Sequence, residues 1–349
     1  MMVRAKLTDA AAGAALIATL LSAGPAAAAA AAPAPSCKMQ TVGEIHVTLD
    51  GGGRPIVAGK IDGQPVKMLV DTGAFDNILI FAAADRMGLK GVPVDGLRAY
   101  GPGGIISLNV VTVRELQLDS VAIPNVELLV PREGGPADGP DIAGLIGATM
   151  FWPYDVEFDL AAGAIRFFKS DCKGDELVYW DGAYSVAAMQ GGSGVVDRRY
   201  LINVTLNGRD MVAKLDTGAS ASIVTIDAAQ RAKVKTTDGG VRADGTIDGG
   251  GKKLDQWVAT FDSFGAGDEV IKNAKIRIAD LYGAAREIQT GSRVATRQDN
   301  SASMILGADF FRAHRVMISN RQKRVYFSYR GGPVFNTLGA DAPTPNLRP

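Results

Sequence analysis

Histidine and cysteine are nearly absent: the 349 residues hold two of each. His46 and His314 lie far apart, so a zinc site or a Ser-His-Asp triad has almost nothing to be built from. Charge of one sign is also missing, because Lys+Arg and Asp+Glu are equal at 37 each. That balance supplies no basic field for nucleic acid and no polybasic patch for anionic lipid. A long hydrophobic run is missing too. The most apolar stretch, Ala11–Ala23, falls short of the ~20 residues a membrane span needs. The acidic residues Asp238, Asp244 and Asp248 lack the spacing of a calcium loop and read as a solvated turn region. Gly101-Pro102-Gly103-Gly104 lacks the strand-to-helix setting that cradles phosphate. No cofactor, metal or nucleic-acid partner is therefore expected.

What is present is a globular composition, 47% apolar with 42 glycines, which suits short strands joined by tight turns. Residues 1–36 have the order of a secretory signal peptide with an Ala/Pro-rich leader. Arg4 and Lys6 come first, then the apolar run, then an alanine-rich stretch from Ala26 to Ala32 with A-x-A cleavage sites. A periplasmic or secreted chain follows as the expectation, with no stable membrane span after processing. In an oxidising compartment Cys37 and Cys172 are expected to pair, the alternative being two buried free thiols.

The chain contains itself twice. Residues 56–89 match 201–234 at a constant offset of 145. Ile61-Asp62-Gly63 stands over Leu206-Asn207-Gly208, each a strand end entering an Asx-Gly turn. Val70-Asp71-Thr72-Gly73-Ala74 stands over Leu215-Asp216-Thr217-Gly218-Ala219, and Ile78-Leu79 over Ile223-Val224. Ala83, Ala84 and Arg86 match Ala228, Ala229 and Arg231 inside a short predicted helix. Further on, Leu145-Ile146-Gly147 corresponds to Ile305-Leu306-Gly307, and Asp155-Val156-Glu157-Phe158 to Arg315-Val316-Met317-Ile318. Both copies end in an alternating strand, Ala164–Phe167 and Arg324–Phe327. The organisation expected is a first unit over 37–172, a linker over 173–185, a second unit over 186–330 and a mobile tail over 331–349.

A single Asp-Thr-Gly is an ordinary turn. Two of them, each after an apolar strand and before Ala and another strand, are not explained by turn geometry. Two carboxylates about 3 Å apart cannot both ionise, so they share a proton and their apparent pKa values split. The ionised member can take a proton from a water between them while the neutral member donates to a carbonyl oxygen. Asp71 and Asp216 are the candidate pair. Gly73 and Gly218 would let each loop turn tightly under the carboxylates without a Cβ clash, and the hydroxyls of Thr72 and Thr217 could bond between the two units.

These residues resemble the pepsin/retropepsin superfamily of aspartic proteases, over about Gly43 to Tyr329. Ala after Asp-Thr-Gly, and units of this length, are closest to bacterial secreted tandem retropepsin-like proteins. The resemblance implies an all-β fold with short helices, in which two homologous β-barrel lobes are related by a pseudo-two-fold axis. It implies a monomer that hydrolyses peptide bonds as an aspartic endopeptidase, with a polypeptide substrate extended in the cleft between lobes. Flaps would be formed by Tyr100–Gly104, including Gly101 and Gly103, and by Asp248–Gly251, including Gly249. Ala74 and Ala219 remove a hydroxyl that could stabilise the ionised aspartate, which implies an optimum less acidic than that of pepsin. Phe75 departs from the small polar residue usual at that point, which Ser220 supplies in the second copy. It opens the alternative of a catalytically inactive bilobal pseudo-protease that binds extended peptides.

Overall fold

Asx-Gly is required where the first two paired strands of each copy turn. The computed structural model describes residues 37–101, 104–133, 141–190, 198–248, 253–281, 287–288, 296–297 and 302–335. Pro55–Ile61 and Gln64–Val70 join through Asp62 and Gly63 at φ of 49° and 86°. Leu201–Leu206 and Arg209–Leu215 join through Asn207 and Gly208 at 49° and 69°. Positive φ at both central residues gives the two-residue turn whose twist matches that of the strands.

Each copy then closes a barrel. In the first, the strand order is Pro55–Ile61, Gln64–Val70, Ile142–Ile146, Ile78–Leu79, Val121–Pro131 and Gly104–Leu118. The last pairs back onto the first through Gly59–Ile61 and Leu116–Leu118. In the second, the order is Leu201–Leu206, Arg209–Leu215, Met304–Leu306, Ile223–Thr225, Glu269–Ala279 and Lys253–Ala266. Leu206 against Phe264 is part of its closure. Closure removes the open sheet edge within each barrel. The short helices Phe81–Arg86 and Ile226–Arg231 follow the strands after the Asp-Thr-Gly loops.

A six-stranded sheet joins the lobes in the order Met39–His46, Ala164–Ser170, Asp155–Asp159, His314–Ser319, Arg324–Tyr329 and Ser185–Ala188. Its two middle strands are antiparallel, with Glu157 opposite Met317. Those two residues are also counterparts in the repeat, so the pseudo-two-fold axis runs through this pair. Glu157 is fully buried there. Its carboxylate takes Arg166 Nη1 at 2.6 Å and Arg315 Nη2 at 3.1 Å. Arg315 comes from the second copy, so this buried charge draws one cation from each copy.

Two segments pack more closely than their sequence indicates. Leu177, from the expected linker, is fully buried beside Phe168, Met317 and Tyr326. Trp180 Nε1 donates to Ser328 Oγ at 2.7 Å, and the Arg315 guanidinium lies 4.6 Å from the Trp180 ring centre. Residues 331–335 depart from the expectation of a mobile tail, because the Phe335 ring is buried with its centre 5.1 Å from that of Phe264. Asp244 is also no part of a solvated turn. It lies in the strand Arg242–Asp248 and accepts Arg277 Nε at 2.9 Å. His314 is structural as expected, fully buried with Nδ1 2.8 Å from Phe310 O.

Cys37 and Cys172 form a disulfide across a sequence separation of 135. A loop of that length corresponds to about 5 kcal/mol of unfolded-chain entropy, and native disulfides contribute about 2–5 kcal/mol in practice. Cys37→Ser with Cys172→Ser is expected to lose that amount in urea unfolding. Wild-type protein unfolded in reductant should coincide with the double variant.

Candidate active site

The two Asp-Thr-Gly loops are held by the same set of bonds. Asp71 N–H donates to Ile146 O at 2.9 Å, and Asp216 N–H to Leu306 O at 2.9 Å. Ala148 N–H donates to Ala74 O at 2.8 Å, and Ala308 N–H to Ala219 O at 2.7 Å. The apolar-apolar-Gly strand therefore straps each loop from behind. Its glycine is needed for close approach. A Cβ on Gly147 would lie 2.2 Å from Asp76 O, and one on Gly307 would lie 2.6 Å from Ala221 O. Asn77 Oδ1 accepts Gly147 N–H at 3.0 Å, a place taken in the second lobe by Ser222 Oγ accepting Gly307 N–H at 3.0 Å.

The loops are also bonded to each other. Thr72 N–H donates to Thr217 Oγ1 at 3.1 Å, and Thr217 N–H to Thr72 Oγ1 at 3.0 Å. Each hydroxyl in turn donates to a main-chain oxygen of the other lobe, Thr72 to Leu215 O at 3.0 Å and Thr217 to Val70 O at 2.6 Å. Both threonines are buried. Only a side chain with one donor and a second lone pair can serve both partners at once.

This cross-bonding brings Asp71 and Asp216 together at the lobe interface. Gly73 and Gly218 sit in tight turns, closed by Ala74 N–H to Asp71 O at 3.2 Å and Ala219 N–H to Asp216 O at 3.2 Å, and neither turn uses a positive φ. A Cβ on Gly73 would lie 2.2 Å from Asp216 Cγ, and a Cβ on Gly218 would lie 2.3 Å from Asp71 Cγ. Each glycine vacates the space that the other lobe's carboxylate fills. Asp71 Oδ1 accepts Gly73 N–H at 2.8 Å and Ala74 N–H at 3.0 Å, and Asp216 Oδ1 accepts Ala219 N–H at 3.1 Å.

Electrostatically the two acids are unequal. Burial, and then the negative charge of Asp216, push Asp71 up to about 7. Burial acts on Asp216 as well, but the Lys214 ammonium and the hydrogen bonds from Lys214, Asp71 and Ala219 outweigh it and hold Asp216 below its ordinary value. Lys214 Nζ is 2.8 Å from Asp216 Oδ2. Nothing in the Asp-Thr-Gly pattern points to this lysine. A signal was available in the repeat, where it stands over Leu69.

The other sequence-marked positions lie on hairpins and loops of the two barrels. Tyr100 and Gly101 end the strand Val92–Gly101, which pairs back onto Gly104–Leu118 as a hairpin with Tyr100 opposite Ile105. Arg242–Asp248 and Lys253–Ala266 form the corresponding hairpin of the second lobe. Gly103 and Gly249, expected at the tips, lie outside the described residues. Phe75 is 38% exposed and its carbonyl accepts Thr149 Oγ1 at 3.0 Å. The glycine-rich turn before Pro55 was not marked by the sequence. Its Arg54 is bound by Asp50 at 2.8 Å and reaches Gly218 O at 3.4 Å, so it touches the opposite lobe's loop. An open depression lined by Val270, Ile271, Tyr329 and Phe335 includes none of the site residues.

Two closed β-barrels that meet at one pair of aspartates, Asp216 buried and Asp71 half-buried, each on an Asp-Thr-Gly loop, define the class of bilobal paired-carboxylate proteins. Residues 57–150 and 202–310, more than half of the chain, match the Aspartyl protease family, and the chain belongs to that family. Both matched segments include one of the two aspartates. No curated protein gives a match. Among solved structures, a retropepsin-like aspartic protease from Rickettsia conorii is 16% identical, covering 38% of this chain and 95% of its own, with a TM-score of 0.28. A likeness that small carries no weight beside the family match.

The crossed threonine bonds are open to direct test. Thr217→Val keeps shape but leaves Thr72 N–H and Val70 O without their partner. Each buried group so stranded costs about 1–3 kcal/mol, so a loss of roughly 2–6 kcal/mol is expected in chemical denaturation. Thr217→Ser, which keeps the hydroxyl, should lose less than half as much.

Proposed function

We propose that this protein is an aspartic endopeptidase that hydrolyses peptide bonds with water activated between Asp71 and Asp216. The observation that carries the reading is the reciprocal seating of the two carboxylates, each against the other lobe's glycine. Holding two acids together in a buried site is unfavourable unless their shared proton is used. A peptide carbonyl set over the pair would meet both a base and an acid. The ionised carboxylate takes a proton from water as the water oxygen bonds to the carbonyl carbon. The neutral carboxyl gives its proton to the carbonyl oxygen, leaving a neutral tetrahedral diol. When the C–N bond breaks, the amine nitrogen takes up the proton first drawn from water, and a diol hydroxyl returns its proton to the acid that gave it. The dyad ends as it began, with no covalent intermediate.

In the same reading the hairpins ending at Gly101 and Asp248 cover an extended polypeptide in the interlobe cleft. The single chain supplies both aspartates, so it works as a monomer. Cleavage of the leader would send it to the periplasm or the medium, where the Cys37–Cys172 bond can form and persist. Among the described residues no helix is long and apolar enough to cross a membrane. The alternative of a peptide binder draws on Phe75. A binder, however, gains nothing from two like charges placed together, and the intact pair favours hydrolysis.

The test is digestion of an unfolded-protein mixture by the mature chain from about pH 3 to about pH 7.5, with Asp71→Asn and Asp216→Asn beside it. Activity needs the dyad to carry one proton. Cleavage is therefore expected across the weakly acidic range, falling as pH rises through about 7, where Asp71 loses its proton. Either substitution should remove cleavage by at least about a hundredfold, the range typical of losing a general acid or base. A folded wild type that is inert throughout the range would overturn the reading.

A further inference from the structure

The dyad is symmetric in its main restraints and asymmetric in its charges. Threonine bonds, glycine clearances and loop straps recur in both lobes. Backbone donors alone would favour a charge on Asp71, which accepts two N–H groups on Oδ1 where Asp216 accepts one. The exception is Lys214. It lies in the strand Arg209–Leu215, two residues before Asp216, which directly follows the end of that strand. Its ammonium reaches Asp216 Oδ2 at 2.8 Å, with both side chains largely withdrawn from solvent at 19% and 11% exposure. The repeat places Leu69 at this position in the first lobe. Leu69 is fully buried in an apolar cluster with Ile56, Ile78, Leu108, Leu129 and Leu145. One aspartate thus has hydrocarbon two residues behind it, and the other a cation in contact.

We infer that Lys214 is a positioning residue that places the negative charge of the dyad on Asp216 and leaves the proton on Asp71. Asp216 then activates the water and Asp71 protonates the carbonyl oxygen, an assignment of roles that rests on the hydrolytic reading; the placement of charge does not. Asp71 apart, the charged groups of the neighbouring segments are engaged elsewhere. Asp71 faces Asp216 from the opposite loop, Arg54 is held by Asp50, and Arg312 lies against Gly53. Asp309, from the helix Ala308–Ala313, is bound to Ser222. Contact with an opposite charge lowers a carboxylate pKa by about 1–3 pH units. Lys214 therefore keeps the dyad singly ionised at lower pH than burial would otherwise allow.

The test separates charge placement from catalysis. In Asp71→Asn protein the coupling is gone, and Asp216 can be titrated alone by its carboxyl 13C resonance. Adding Lys214→Met is expected to raise that titration by about 1–3 pH units, while Lys214→Arg leaves it in place. Lys214→Gln gives the same comparison should the methionine variant fail to fold. With Asp71 restored, Lys214→Met should move the acid limb of kcat/KM upward by the same interval, a loss of about tenfold per unit at a fixed pH below it. An unchanged titration, or an unmoved acid limb with altered cleavage preference, would overturn the inference and make Lys214 a substrate contact only. If the titration shifts but wild-type protein cuts nothing, charge placement stands and the protease reading fails.

Discussion

Everything in this structure is arranged around one unfavourable contact, the juxtaposition of two aspartates in a buried interface. Like charges at such a distance repel, and burial raises the free energy of each ionised form. Left to relax, the loops would separate. They cannot, because each threonine of the Asp-Thr-Gly loops is bonded to the other loop's main chain. Breaking the contact would strand four buried polar groups. The penalty is met chemically instead, by one shared proton.

The same constraint reaches outward through the fold. Gly73 and Gly218 are absences of a side chain, each matched to a carboxylate from the other lobe. Gly147 and Gly307 let the straps behind the loops approach to main-chain contact. The six-stranded sheet fixes the lobes along the pseudo-two-fold axis, with Glu157 buried between Arg166 and Arg315 on that axis. Bonding at the threonines and pairing at the sheet each restrain the same rotation of one lobe against the other. Two separated restraints hold an angle far better than one.

Much of this was legible in the sequence because duplication exposes it. A residue kept in both copies while its flanks changed had to answer to something other than local turn geometry. That held for Asp71 and Asp216, for the threonines and for the Leu145-Ile146-Gly147 and Ile305-Leu306-Gly307 straps. Barrel strands and Asx-Gly turns were legible through alternation and turn chemistry. What escaped were features that only tertiary contact creates. Gly73 is legible as a turn residue, but the carboxylate that fills the space beside it belongs to Asp216, 143 positions away. Leu177 and Phe335 lie in segments rich in turn formers, and nothing local says that their side chains are buried. Lys214 escaped for the opposite reason. It is where the copies differ, and a search for what both copies share passes over it.

The central claim is that the dyad holds one proton and that Asp71 carries it. Infrared difference spectroscopy of wild type against Asp71→Asn at about pH 5.5, between the two titrations, reads this without requiring turnover. A neutral-carboxyl C=O band present in wild type, lost in Asp71→Asn and insensitive to pH until it fades near 7, is the result this account requires. No such band in wild type would mean that both acids are ionised there, and the shared-proton account would be wrong.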